Sequence, residues 1–310
     1  MITIYKTVGT ELQQIPDFEP GSWGKVCAPT HEELDQLSKR FDIHPDFLTD
    51  PLDVDERARI EREEGVTLIV LRIPRLDTYE ADVPFTTLPV GIILADEIII
   101  TICALDVDVV SDFSKGKVRN FSTEQRTRFI LQLCMRTSLL YLKYLREINR
   151  LTNIVEKDLH RASRNEQLIK LLNLEKSLVF FQTSIRSNAL MLEKLYNVKS
   201  IRMDPDESDL LDDLIIENRQ AMEMTSIYAK VLNGTMTAFA SLISNNLNMV
   251  MKSLATITII LMIPTLVASM YGMNVELPFQ HTEYAFPFVM GVSLLLSVMG
   301  ILIFWRKEIV

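Results

Sequence analysis

Two stretches of this chain contain no charged side chain, residues 253–275 and 284–305. Each exceeds the roughly 20 residues that a helix needs to cross the hydrocarbon core of a bilayer. Absence of charge over such lengths excludes a helix bathed in water on any face, and it predicts two transmembrane helices. Lysine and arginine are also missing between them, where Glu276, His281 and Glu283 are the titratable groups. Lys252 precedes the first span, and Arg306 and Lys307 follow the second. Basic residues stay on the cytoplasmic side of a membrane. The connecting segment is therefore expected outside, both termini inside, and the protein in the plasma membrane.

Other scarcities narrow the function. Cysteine occurs three times, as Cys27, Cys103 and Cys134, an odd and widely spaced set that excludes a disulfide framework or a zinc knuckle. Reduced thiols in a cytosolic domain are expected. Histidine occurs four times, at positions 31, 44, 160 and 281, without clustering. There is no phosphate-binding glycine loop ending in Lys-Ser/Thr, no His-Glu-x-x-His and no nucleophile elbow, so the sequence does not read as an enzyme. Basic charge is in deficit, with 32 Lys and Arg against 41 Asp and Glu, a net charge of -9. That disfavours nucleic acid, whose phosphates need a basic surface, and suits cations. The start, "MITIYKTVGTELQQ", lacks a basic region followed by an apolar run, so no signal peptide is expected.

The remaining sequence reads as a cytoplasmic α/β and helical domain over residues 1–204. "MITIYKTV" and "GKVCAPT" predict strands, and "HEELDQLSKRF" predicts a helix. "GVTLIVLRIPRLD" predicts a strand, and "PVGIILADEIIITIC" a hairpin turning at Ala95, Asp96 and Glu97. Glycine and proline are absent between Lys117 and Asp204, where two long helices should double back near "HRASRNEQ". Pro205 opens a further helix that only Gly234 and Pro264 punctuate between Glu207 and Met270. At 1.5 Å per residue, about 64 residues span roughly 96 Å. Residues 205–250 would form a cytoplasmic stalk, 251–271 the first membrane helix, 272–283 an external loop, 284–305 the second membrane helix and 306–310 a tail. A helix of this length needs partners along its flanks, and self-association is the economical source.

On the first membrane helix Asn248, Met251, Ala255, Thr258, Met262, Thr265 and Ser269 recur in steps of three and four. This is a heptad seam of small, hydroxylated and thioether side chains. Lipid is a poor solvent for hydroxyls, so the seam should face protein or water. Helix packing by small residues is one reading; the lining of a pore in a symmetric oligomer is the other. In the second, Leu254 beside Ala255 supplies an apolar constriction. A neutral oxygen lining is compatible with a divalent ion that keeps its water, as Mg2+ tends to. Met249, Met251, Met262, Met270 and Met273 raise a soft-ion alternative such as Cu(I), but methionine is also common apolar filler.

The run "NMVMKSLATITIILMIPTLVASMYGMN" closes on Tyr271, Gly272, Met273 and Asn274. It resembles the signature of the CorA-type magnesium channels, and the likeness extends back to "DPLDVDERARIEREEGVTLIVLRIPRLD". The resemblance implies an α+β membrane protein: an N-terminal α/β cytoplasmic funnel domain, a long stalk helix and two C-terminal transmembrane helices, assembled as a homopentamer. It implies Mg2+ influx, with Co2+ or Ni2+ also carried, and no organic cofactor. By that likeness Gly272, Met273 and Asn274 form the selective mouth, where Asn274 carbonyls ring a hydrated ion, Gly272 allows a tight exit from the helix, and Tyr271 and Met273 brace the loop. The family's regulatory metal site carries over onto Asp77 and Asp213, one from each of two neighbouring subunits.

Asp204, Asp206, Glu207, Asp209, Asp212, Asp213 and Glu217 also form an acid-rich segment without a basic residue. For most of them the plain reading is a solvated helix start. The chain departs from the family's usual pattern after the signature, where "VELPFQHTEYAFP" holds only Glu276 and Glu283 as acids, and at its end, where only Arg306 and Lys307 stand as a thin basic collar. A zinc transporter of the same fold and a membrane-anchored coiled-coil scaffold without a pore remain the alternatives. Met273 favours magnesium over zinc, and a scaffold has no need of a polar seam.

Overall fold

The computed structural model describes residues 1–159, 164–197, 203–273 and 284–306. The chain divides into two compact units, Met1–Gly234 and Thr235–Val310. The first is built on seven strands: β1 (Ile2–Val8), β2 (Glu11–Ile15), β3 (Ser22–Cys27), β4 (Arg59–Glu63), β5 (Val66–Leu76), β6 (Phe85–Ala95) and β7 (Ile98–Cys103). Their order in the sheet is β2-β1-β3-β7-β6-β5-β4. β3 and β7 run parallel, and the other neighbours are antiparallel.

Both faces of the sheet are covered, which is why its central strands read as nearly continuous apolar runs. Successive side chains alternate between the faces. Leu68 and Val70 of β5 point to one side with Val26, Ile93, Ile100 and Ile102, and pack with Leu34 and Leu37 of α1 (His31–Phe41) and Phe47 of α2 (Pro45–Thr49). Ile69 and Leu71 point to the other side with Trp23, Val90 and Ile99. They meet Phe113 of α3 (Asp108–Ser114), Phe129 and Leu133 of α4 (Arg126–Leu159), and Leu195 of α5 (Arg164–Asn197). Leu211 and Leu214 of α6 (Pro205–Tyr271) close that core. Trp23 is its centre: the indole lies edge-on to Phe113, Phe121 and Phe129, and its Nε1 donates to Thr101 Oγ1 at 2.9 Å.

The predicted α1 is present from His31, and β1, β5 and the β6–β7 hairpin stand where expected, with Asp96 at φ 46° in the turn. β3 is displaced toward the N-terminus of "GKVCAPT" because Thr30 is the N-cap of α1, in a reciprocal capping box with Glu33. β2 and β4 escape the pattern reading. Both are edge strands, and "ELQQI" and "RIERE" carry the polar residues that protect an open edge.

α5 also finishes the sheet. β4 pairs with β5 only as far as Val70, which leaves the backbone of Arg72 without a strand partner on that side. Asn188 takes the place of a strand: its Oδ1 accepts from Arg72 N at 2.9 Å and its Nδ2 donates to Arg72 O at 2.8 Å. α6 is continuous for 67 residues, slightly longer than the sequence predicts, and the boundary between the units falls within it. The second unit holds the end of α6 and α7 (Ala285–Arg306).

Candidate functional site

The two long apolar helices are the two described helices with the length and composition to cross a membrane. Over residues 251–270 of α6 the least exposed positions are Ser253, Thr256, Ile260, Ile263 and Val267, in steps of three and four. This stripe meets α7: a Cβ on Gly300 would stand 3.3 Å from Ile263 Cδ1. Thr256 is 3% exposed and Ser293 of α7 is 8% exposed, so small and hydroxylated residues permit the close approach. Its aliphatic members, Ile260, Ile263 and Val267, lie on the helix-facing side.

The predicted seam lies elsewhere. At 100° per residue its centre falls roughly 150–160° around α6 from the α7 stripe. Asn248, Met251, Leu254, Ala255, Thr258, Met262, Thr265 and Ser269 are all exposed within the subunit. Thr258 Oγ1 donates to Leu254 O at 2.8 Å and Thr265 Oγ1 to Leu261 O at 3.1 Å. Each hydroxyl thus spends its donor on its own helix and keeps its oxygen as an acceptor. Water bound to a cation turns its hydrogens outward, so a wall of neutral acceptors is complementary to a hydrated cation and not to a hydrated anion.

At the end of α6, Gly272 N donates to Ala268 O at 2.9 Å and Met273 N to Met270 O at 3.3 Å. Gly272 lies outside the left-handed region, but a Cβ there would press on the Ala268 carbonyl oxygen at 3.3 Å. Met273 is exposed. Asn274 lies outside the described residues, as do Glu276, His281 and Glu283.

The predicted regulatory acids are both in the first unit. Asp77 follows β5, and both of its carboxylate oxygens are engaged: Arg75 Nη2 lies 3.0 Å from Oδ1, and Thr86 Oγ1 donates to Oδ2 at 2.9 Å. Arg75 stands two residues before Asp77, on the same side of an extended chain, so "PRLD" carried the signal for this pair. Asp213 is exposed on α6. Among the described residues, no hydrogen bond or ion pair joins Asp213 to Asp77, and no three metal-binding side chains come together. The rest of the acid-rich segment divides by role. Asp204 N donates to Glu207 Oε2 at 3.1 Å, and Glu207 N donates to Asp204 Oδ1 at 2.8 Å. These two acids cap α6, as the Asp-x-x-Glu spacing allows.

Comparison with known proteins comes from three directions. The sequence profile of the family described as CorA-like Mg2+ transporter protein matches residues 20–307. The cobalt/magnesium transport protein CorA of Methanocaldococcus jannaschii is 27% identical over 297 residues, covering 92% of this chain and 90% of that protein. Its namesake from Thermotoga maritima is 23% identical over 311 residues, covering 96% and 87%. The complete structure of the CorA magnesium transporter from Methanocaldococcus jannaschii superposes with a TM-score of 0.84 at 24% identity, covering 99% of this chain and 98% of that one. The ZntB cytoplasmic domain from Vibrio parahaemolyticus superposes with a TM-score of 0.62 at 12% identity, covering 79% and 96%. At these identities the structural likenesses establish the fold.

Proposed function

The chain belongs to the CorA-like Mg2+ transporter family, and from that premise we propose that it carries Mg2+ into the cell through a membrane channel built from α6 seams. Co2+ and Ni2+ are further cargo in this reading. The observation that carries it is the seam: neutral acceptor oxygens on the side of α6 turned away from α7, exposed in the subunit and unsuited to lipid. Copies of the same chain supply the cover, as a homopentamer around a wet axis, in the plasma membrane with both termini cytoplasmic. Residues 205–250 then serve as stalk, 251–271 as pore helix, 272–283 as external loop and 284–305 as outer helix.

Asn248, Met251, Thr258, Met262, Thr265 and Ser269 line the path, Leu254 narrows it, and Gly272, Met273 and Asn274 form its outer mouth. Flux is passive. A potential of 100 mV is worth about 2.3 kcal/mol per charge, hence about 4.6 kcal/mol for a divalent cation. Gating uses Asp77 of one subunit and Asp213 of its neighbour. Mg2+ between them screens repulsion among the acid-rich helix starts and holds a closed state, and loss of internal Mg2+ releases it. Binding shifts such an equilibrium only by its differential affinity for the two states.

The test is ion uptake into proteoliposomes under an inside-negative potential, wild type beside Asn274→Ala. Mg2+ uptake by the wild type and none by the variant is the expected result. Uptake of Zn2+ in place of Mg2+ would keep the fold and replace the cargo, and no divalent uptake at all would leave a scaffold.

A further inference from the structure

The three cysteines separate into one isolated thiol and one pair. Cys134 is buried in α4, and burial pushes its thiol up to about 12. Cys27 and Cys103 are register partners on the parallel strands β3 and β7, each the last residue of its strand. Register partners in a parallel pair send their side chains to the same face, and both thiols lie against the Trp23 core, where Cys103 Sγ donates to Val26 O at 3.7 Å. Neighbouring strands lie about 4.8 Å apart, within the roughly 4.4–6.8 Å between α-carbons that a disulfide spans. Ala28 has φ 43° and residues 104–105 form a bend, while Ala28 N still donates to Cys103 O at 2.9 Å just beyond the pair. Access is unequal. Cys27 is partly exposed, whereas Cys103 is buried. Nothing in the transport reading uses either.

We propose that Cys27 and Cys103 form a reversible redox pair, oxidised to an internal disulfide by a small disulfide such as oxidised glutathione. Cys27, the reachable thiol, loses its proton to solvent, and its thiolate attacks one sulfur of the oxidant. The oxidant's S–S bond breaks, one thiolate leaves and Cys27 becomes a mixed disulfide. Cys103 then gives up its proton and attacks the Cys27 sulfur, forming the Cys27–Cys103 bond and expelling the second thiolate. Two protein thiols are oxidised, and one disulfide is reduced to two thiols. Burial holds the Cys103 thiol far above its ordinary range; the Cys27 sulfur and Asp106 act in the same direction, against Lys25. Lys25 in turn is held by Asp106 at 2.9 Å and by Ser111 at 2.6 Å. The second step is consequently the slow one. In a reducing compartment the pair stays open, so its closure reports loss of the reducing poise and ties β3 to β7.

The purified full-length protein in detergent is incubated folded with excess oxidised glutathione, blocked with N-ethylmaleimide, digested and weighed by mass spectrometry. A glutathione adduct on Cys27 is expected first, followed by a Cys27–Cys103 linked peptide that dithiothreitol reopens. Cys103→Ser should stop the sequence at a lasting Cys27 adduct, and Cys27→Ser should leave Cys103 unmodified. A lasting adduct on Cys27 in the wild type, a Cys27–Cys27 link between chains, or two unreactive thiols would each overturn the proposal.

Discussion

In the sheet core of the Met1–Gly234 unit the large apolar side chains are out of reach of solvent: Trp23 and Phe113 are 0% exposed and Phe129 is 1% exposed. In the Thr235–Val310 unit Leu261 is 66% exposed, Leu294 66% and Phe286 76%. The first unit is folded by removing apolar surface from water, at about 25 cal/mol per Å2. The second leaves such surface outside because lipid is as apolar as leucine. The positions it buries most between helices are instead hydroxylated, Thr256 and Ser293, with Gly300 giving Ile263 room. The same side chain thus has opposite meanings in the two units. An exposed leucine in the second unit is ordinary, and an exposed threonine is the group that needs an explanation.

That contrast breaks most sharply at Trp23. Trp23→Ala removes the ring around which Tyr5, Phe113, Phe121 and Phe129 gather, and should cost about 3–5 kcal/mol. Urea unfolding of the purified protein followed by circular dichroism measures it. The corresponding truncation in the other unit, Leu254→Ala, should leave that unfolding curve in place, since Leu254 is 57% exposed in its own subunit. Its effect should appear as altered Mg2+ flux. An equal loss of stability from both variants would erase the distinction.

A second comparison is internal to α7. Gly300→Leu adds bulk where a Cβ already meets Ile263 Cδ1 at 3.3 Å, and overpacking of this kind costs about 1–3 kcal/mol. Gly291→Leu has nothing within 4 Å of its Cβ and should be tolerated. Thermal unfolding in detergent separates the two. A drop for Gly291→Leu as large as for Gly300→Leu would mean that α7 packs on a different face. On the seam, Thr258→Val keeps the shape and deletes the acceptor oxygen. A single hydrogen bond is worth about 0.5–1.5 kcal/mol, so flux should fall roughly two- to tenfold with stability unchanged.

Legibility in the sequence followed the same division. Residues 65–77 and 89–103 read as a strand and a hairpin because both faces of the sheet are buried and the runs are long and apolar. β2 and β4 did not, because an edge strand protects itself with the polar residues that a pattern search takes for loop. The seam was visible as a stripe of hydroxyls at helical spacing. Its placement opposite α7 was not, since a stripe does not say which of its neighbours covers it. At the acids, the spacing of Asp204 and Glu207 held a cap that was read only as a solvated helix start, and the spacing of Arg75 and Asp77 held an ion pair that went unread. Thr86 was hidden, because the hairpin that brings it to Asp77 is a long-range pairing of β5 with β6.

Asp77 gives the smallest expected effect on folding and the most informative one on regulation. Its partner Arg75 is 38% exposed and Asp77 itself 31%, and ion pairs this open to water contribute about 0–1 kcal/mol. Asp77→Ala should therefore barely move the unfolding midpoint. Both oxygens of its carboxylate are nevertheless already occupied, one by the Arg75 guanidinium and one by the Thr86 hydroxyl, so a regulatory cation must displace or share them. A weak ion pair is easily exchanged, which suits a site that empties and fills with the internal Mg2+ level. Asp77→Ala together with Asp213→Ala should release uptake from inhibition by Mg2+ on the cytoplasmic side while the wild type remains inhibited. If the double variant is inhibited at the same Mg2+ concentration as the wild type, the regulatory cation sits elsewhere, and Asp77 is only the outer end of a surface ion pair.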